Sequence, residues 1–153
     1  MDLCTVAELK NTSGRILGVD FGDTRTGLAL SDPSRFLASG IGYISPGGIE
    51  KTAAAVAAVA AEKGVACVVV GLPRNMDGSE GFRAARCREF AGLVAGKCPE
   101  LRVAMMDERL TTVSASRYLN ETNTRGKNRK GVIDTLSAQI ILQNALDLLK
   151  NLK

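Results

Sequence analysis

Residues 15–32 read RILGVDFGDTRTGLALSD, and the architecture of the whole chain can be built outward from them. Ile16, Leu17 and Val19 form the short apolar run of a fully buried strand. That run ends in a carboxylate, Asp20, with Gly22 close behind. Gly22, Asp23 and Thr24 supply a tight turn, and Gly27-Leu28-Ala29-Leu30 gives a second apolar run. The segment is therefore expected to be a β-hairpin with Asp20 beside its turn. Taken alone, Asp20 could be an acidic turn residue that satisfies backbone donors. The residues it meets further along point to chemistry.

Downstream, residues 36–44 are expected to be a third strand, stopped by Pro46-Gly47-Gly48. Residues 49–63 are alanine-rich with Val56 and Val59 on one stripe, and Gly64 follows as a C′ residue, so a helix is expected there. The β-branched run at 67–70 reads as a buried parallel strand opening into a turn-rich loop, Gly71-Leu72-Pro73-Arg74-Asn75-Met76-Asp77-Gly78. Ser79 is expected to cap a helix running to about Lys97 that turns Phe82, Ala85, Phe90, Leu93 and Val94 inward. Residues 101–106 form another buried strand delivering Asp107-Glu108-Arg109. Thr111 or Thr112 then caps a short helix ending near Asn120, residues 121–130 are polar and basic, and 132–149 form a last helix. Residues 1–14, without an apolar targeting core, are expected to be a short flexible leader, and 15–153 a single domain.

Composition narrows the chemistry. The chain has 153 residues, 45% hydrophobic and 24% charged, values of a globular domain with a real core rather than a disordered or membrane-spanning chain. A cytoplasmic location is expected. Four cysteines lie without C-x-x-C spacing, so neither a zinc site nor a disulfide framework follows. Histidine is absent, which removes the commonest general base, the Ser-His and Cys-His pairs, and histidine-based metal sites. Catalysis must then run on carboxylates, lysines, hydroxyls or an oxygen-bound metal. The net charge of +4 mildly favours an anionic partner.

Strands that first run antiparallel and then alternate with helices imply a mixed sheet, with ligands outside the carboxyl ends of its parallel strands. Asp20, the 71–78 loop and Glu108 all end apolar runs and should gather on that rim. Asp134 shares a helical face with Ala138, Ile141 and Ala145. A carboxylate on such a face is either an N-cap or aimed at a metal, because burying it unpaired costs several kcal/mol. For Glu108 the alternative is a surface pair with a neighbouring base, worth little. Three converging carboxylates suit one or two Mg²⁺ or Mn²⁺ ions and an in-line phosphoryl displacement, chemistry that needs no histidine. The segment 125–130 carries Arg125, Lys127, Arg129 and Lys130 just before the helix bearing Asp134. It is either a solvated loop or a phosphate clamp. In the loop before Ser79, Arg74 and Asn75 either hold a phosphate or hold the turn. Aromatic content of 4% argues against extensive base stacking and for recognition through backbone and shape.

The ordered motifs GVDFGDTRTGLALSD, VVGLPRNMDGSEG, DERLTT and KGVIDTLSAQIIL resemble those of the YqgF family, also called RuvX, a ribonuclease H-like group described as Holliday junction resolvases and pre-16S ribosomal RNA nucleases. The resemblance runs from Arg15 to about Leu149. It implies an α/β, ribonuclease H-like mixed five-stranded sheet, three antiparallel strands then parallel ones, with helices on both faces. It also implies a metal-dependent nuclease acting on structured nucleic acid, ribosomal RNA precursor or branched DNA, as a monomer or homodimer away from membranes. Asp20, Glu108 and Asp134 take the family's acidic positions as catalytic and metal-binding residues, with Mg²⁺ or Mn²⁺ as cofactor. Arg25 matches the arginine of the first motif, and Arg74, Asn75, Arg109, Arg125, Lys127, Arg129 and Lys130 are the candidate nucleic-acid contacts. Thr24 stands where members commonly have lysine. Gly71-Leu72-Pro73 stands where ribonuclease H-like resolvases usually carry an acidic strand end, a place Glu108 would have to fill from the next strand. Two alternatives remain open: a catalytically silent nucleic-acid-binding module, and an actin-like or sugar-kinase-like phosphotransferase suggested by Asp20-x-Gly22-x-Thr24.

Overall fold

The hairpin forms as its apolar pattern dictates: β2 (Ile16–Asp20) runs antiparallel to β3 (Thr26–Ser31), with Asp20 opposite Gly27. The computed structural model describes residues 3–108 and 129–152, and at 129 and 130 only the backbone. β3 pairs antiparallel with β4 (Ala38–Ile44), and a bulge shifts the register between Leu28 and Ala29. On the other side β2 pairs in parallel with β5 (Cys67–Leu72), and β5 with β6 (Arg102–Asp107). Two crossover helices make those parallel connections, α1 (Ile49–Lys63) and α2 (Phe82–Lys97). Gly64 ends α1 in the left-handed conformation, as its position past an alanine-rich stripe implies.

A short strand, β1 (Cys4–Thr5), adds in parallel outside β6, so the described sheet has six strands in the order β1-β6-β5-β2-β3-β4. This corrects both the five-stranded expectation and the flexible leader. Thr5 and Glu8 form a capping box for a 3₁₀ helix, Val6–Asn11, whose Leu9 is fully buried. The leader's apolar residues are few, but two of them, Val6 and Leu9, are enough to tie it to the sheet. Arg35 completes the anchor by donating to the carbonyls of Gly14 and Leu9 and to the Thr12 hydroxyl.

Strand alternation sends side chains to two cores. Leu17, Val19, Val68 and Val70 face α1 and α2, where they meet Val56, Phe90 and Val94. Ile16, Cys67, Val69 and Ala104 face the last helix, α3 (Arg129–Asn151), through Ala138, Ile141, Leu142 and Ala145. Helices thus cover both faces of the mixed sheet. No described helix is long and apolar enough to cross a membrane.

The α2 expectation needs correction at its start. Gly81 precedes the helix without a side-chain cap. Ser79 instead donates its hydroxyl proton to Asp77 Oδ1 at 2.6 Å and accepts from Asn75 Nδ2 at 2.9 Å. The inward stripe is Ala84, Cys87, Phe90, Ala91 and Val94, which leaves Phe82 77% exposed and Ala85 at the surface. The helix expected between Thr111 and Asn120 lies outside the described residues.

α3 sits unusually close to the sheet because glycines clear its path. A Cβ on Gly18 would stand 2.6 Å from Leu142 Cβ, and one on Gly27 would overlap the backbone carbonyl of Asp134. These two positions require glycine for room rather than for conformation.

Candidate active site

Alternation along β2 puts Asp20 on the α3 side of the sheet, at the strand's carboxyl end. The turn after it is tight. A side chain at Gly22 would run into the Arg25 carbonyl, while the Thr26 hydroxyl donates to Gly22 O and accepts from Gly22 N. Phe21 stacks on Phe90 of α2 at 4.5 Å, and Arg86 pairs with Asp23 at 3.1 Å, so α2 fixes the turn from the far face.

Asp134 arrives from α3. That helix begins at Arg129, so Asp134 lies past its first turn and is not an N-cap. Its backbone occupies the space Gly27 leaves open, and Gly27 is the residue across from Asp20. Asp20, Asp134, Arg25 and Arg83 accordingly line one polar cleft of about 340 Å³ together with the 21–24 turn. Arg25 Nε donates to Asp134 Oδ2 at 2.7 Å.

Glu108 follows β6 and lays its carboxyl group over the bare backbone of Gly71: a Cβ there would be 3.2 Å from Glu108 Cδ. Glu108 thus brings a carboxyl group from β6 to the carboxyl end of the neighbouring strand β5. Asp20 stands electrostatically between the other two. Burial pushes its carboxyl up to about 7, the charges of Glu108 and Asp134 push the same way, and Arg83 opposes them. Burial also raises Glu108, with Arg83 opposing and Asp107 adding.

Arg83 was not singled out from the sequence. Its signal was there in the helical period: Arg83, Cys87 and Phe90 share one face of α2, and the latter two are buried. One turn ahead of Cys87, Arg83 therefore overhangs the strand ends, and its Nη2 donates to Phe21 O at 3.3 Å.

The other candidates divide. Arg74 pairs with Glu80 at 3.3 Å and lies 3.9 Å from Asp107, tying the 73–80 loop to the end of β6. Asn75 holds its own turn, donating from its backbone to Ser79 O and from its side chain to the Ser79 hydroxyl. Arg109, Arg125 and Lys127 lie outside the described residues, as do the side chains of Arg129 and Lys130.

The donor set suits a hard divalent cation: carboxylate oxygens only, with one carboxyl raised by burial and by its acidic neighbours. Among the described residues no three acidic or thiol side chains stand, as placed, where they could together hold a metal ion. Asp134 accepts from Arg25 through Oδ2, so an ion would share that carboxylate with the guanidinium or replace it.

A sheet of this topology with an acidic rim defines a ribonuclease H-like, resolvase-type fold. RuvC of Thermus thermophilus in complex with a Holliday junction substrate superposes with a TM-score of 0.53 at 12% identity, covering 88% of this chain and 96% of that one. A second Thermus thermophilus RuvC structure gives 0.51 at 11% identity, covering 90% of this chain and 96% of that one. At such identities the likeness speaks for the fold alone. The family model described as "RuvX: Holliday junction resolvase" matches residues 14–148, and the chain belongs to that family. A relative from Pelotomaculum thermopropionicum, named "Putative pre-16S rRNA nuclease", is 44% identical over 134 residues, covering 87% of this chain and 86% of its own. Another of the same name, from Ruminiclostridium cellulolyticum, is 40% identical over 87% of this chain and 94% of its own.

Proposed function

We propose that the protein is a nuclease that hydrolyses phosphodiester bonds in structured nucleic acid, with Asp20, Glu108 and Asp134 as the residues that hold Mg²⁺ or Mn²⁺. The observation that carries this reading is Asp20 itself. It ends β2 inside a polar cleft shared with Asp134, and its carboxyl is raised to about 7 by burial and by its two acidic neighbours. A bound divalent ion would supply charge neutralisation at the phosphate and activation of water.

The chain's own residues do the rest. Asp20 and Asp134 line the cleft, and Glu108, over Gly71 of β5, acts on Asp20 through its charge. Arg83 lowers the carboxyl of Asp20 toward its ionised form and presents a cation at the rim. Arg25 holds Asp134 in place through Oδ2 and carries a guanidinium that can face a phosphate oxygen. In sequence Arg125, Lys127, Arg129 and Lys130 run just ahead of Asp134, and they would neutralise phosphates flanking the cleft. Arg109 follows Glu108 directly and would serve the same strand. Arg74 and Asn75 act by shaping the 73–80 loop.

A nuclease acting on pre-16S ribosomal RNA is the activity the relatives' names support, and resolution of Holliday junctions is the one the family description supports; within the first reading we place the cut in maturation of the 5′ end, in the cytoplasm. The test is cleavage of precursor ribosomal RNA and of a four-way DNA junction by the purified chain, with Mg²⁺ or Mn²⁺ and with chelator. Metal-dependent cleavage of one substrate that disappears in Asp20→Asn is expected. Binding of both substrates with cleavage of neither would leave a nucleic-acid-binding module.

A further inference from the structure

One row of the sheet leads from the acidic cleft to a groove of different character. Asp20 faces Gly27 across β2 and β3, and Gly27 faces Tyr43 across β3 and β4. All three lie on the α3 side: Asp20 shares its cleft with Asp134, Gly27 abuts the Asp134 backbone, and the Tyr43 ring lies on Gly131. Two inter-strand steps put the Tyr43 backbone about 10 Å from that of Asp20.

Tyr43 is half exposed, and beyond it opens a groove of about 480 Å³. Its lining includes Gly40, Gly42, Val132, Leu136 and Gln139, so bare backbone forms one side and aliphatic side chains with an amide form the other. A Cβ on Gly40 would strike the Thr135 methyl at 2.5 Å and come within 3.3 Å of Gln139 Oε1. Among the described residues no charged side chain lines the groove, so those residues give a phosphate nothing to pair with. The strand β4 beside it is an edge, but Gly42 with φ +113 and the bulge opposite Gly40 and Gly42 break the regular ladder that strand addition by a partner needs. What fits is a planar ring with apolar faces and polar edges, stacked on an aromatic wall.

We infer that Tyr43 and this groove receive one unpaired nucleobase of the strand whose backbone lies in the acidic cleft. The site rests on the nuclease reading above and adds to it a requirement for a nucleotide that is free of its pairing partner beside the scissile phosphate. The chain then reads the strand at two places on one sheet row, charge at Asp20 and Asp134 and an aromatic face at Tyr43.

The experiment measures binding of short single-stranded RNA to the full chain in an Asp20→Asn background with Mg²⁺. Intact RNA is compared with RNAs carrying a single abasic residue at successive positions, against Tyr43, Tyr43→Phe and Tyr43→Leu. Leucine keeps an apolar cover on Gly131, and thermal melting checks that each variant is folded. Tyr43→Leu should weaken binding about tenfold or more, while Tyr43→Phe should bind as tyrosine does. One abasic position should weaken the tyrosine protein by the same factor and have no further effect on the leucine variant. Equal binding by tyrosine and leucine, or losses that add at every position, overturns the site. Metal-dependent cleavage by the Asp20 protein, assayed in parallel, separates the two readings. Cleavage without that position-specific coupling sinks the base site alone, coupling without cleavage sinks the nuclease alone, and failure to bind RNA sinks both.

Discussion

Arg25 donates its Nε proton to Asp134 Oδ2 at 2.7 Å, joining the hairpin turn to a helix more than a hundred residues away in sequence. Both side chains are partly buried, at 29% and 20% exposure, so the pair is shielded better than a surface bridge. Arg25 therefore sits on the same carboxylate that an ion in the cleft would use. Arg25→Gln should raise Mn²⁺ affinity in a calorimetric titration, because the competing cation is gone, while slowing cleavage because no guanidinium remains to meet the phosphate. Weaker metal binding in that variant would show that Arg25 orients Asp134 rather than competing for it.

The acidic cluster makes metal-free stability depend on pH. Asp20 is raised to about 7 from 3.8, so the folded state holds its proton more tightly than the unfolded state. The associated stability is fully present below the unfolded value and is lost as pH rises through about 7. A gap of that size is worth on the order of 4 kcal/mol at most. Glu108 is raised too and contributes with the same sign. In chelator the melting temperature should fall between pH 5 and pH 8 (approximate bounds set by these ordinary and raised values). Asp20→Asn should flatten that fall and melt higher than the parent at the alkaline end. A slope identical in the two proteins would place the titration elsewhere.

Gly27 tests how Asp134 is delivered. A methyl group there overlaps the Asp134 carbonyl, so Gly27→Ala should push the first turns of α3 off the sheet. The expected cost is about 1–3 kcal/mol of overpacking, read in denaturant unfolding, with a loss of metal affinity larger than the stability loss explains. Gly64→Ala, where a left-handed conformation but no neighbour is at stake, should cost stability and leave metal affinity alone.

The strands and helices were legible wherever apolar period and punctuation agreed. The hairpin, α1 with its Gly64 stop, and the β5 run each carry both signals. The leader was misread because a two-residue strand has no period to detect, and its anchor, Arg35, acts from 26 positions away on Leu9 O. Asp20 and Asp134 were legible as candidates, since each ends or interrupts an apolar pattern. Their convergence was expected from the face Asp134 shares with Ala138, Ile141 and Ala145, but the room for it was not, because it depends on Gly27 and Gly18 having no side chains where α3 crosses. In sequence those glycines look like ordinary strand residues. Arg83 was hidden by a small error: the expected stripe took in Phe82 and Ala85, away from the face Arg83 shares with Cys87.

Arg83 is where that error has a functional consequence. It is the cation that opposes the upward push on both Asp20 and Glu108, and it lines the cleft while holding the turn through Phe21 O. Removing its charge should raise both carboxyls further, so a larger share of Asp20 is protonated at neutral pH and unavailable to an ion. Arg83→Gln should therefore shift the acidic limb of the cleavage rate profile to higher pH, with activity partly restored by raising pH or metal concentration. Arg83→Lys keeps a positive charge and should keep the limb near its original place, even though the planar hydrogen bond to Phe21 O is lost. If the glutamine and lysine variants lose activity equally with no change in the profile, the arginine acts by holding the turn. The electrostatic role assigned to it would then fall.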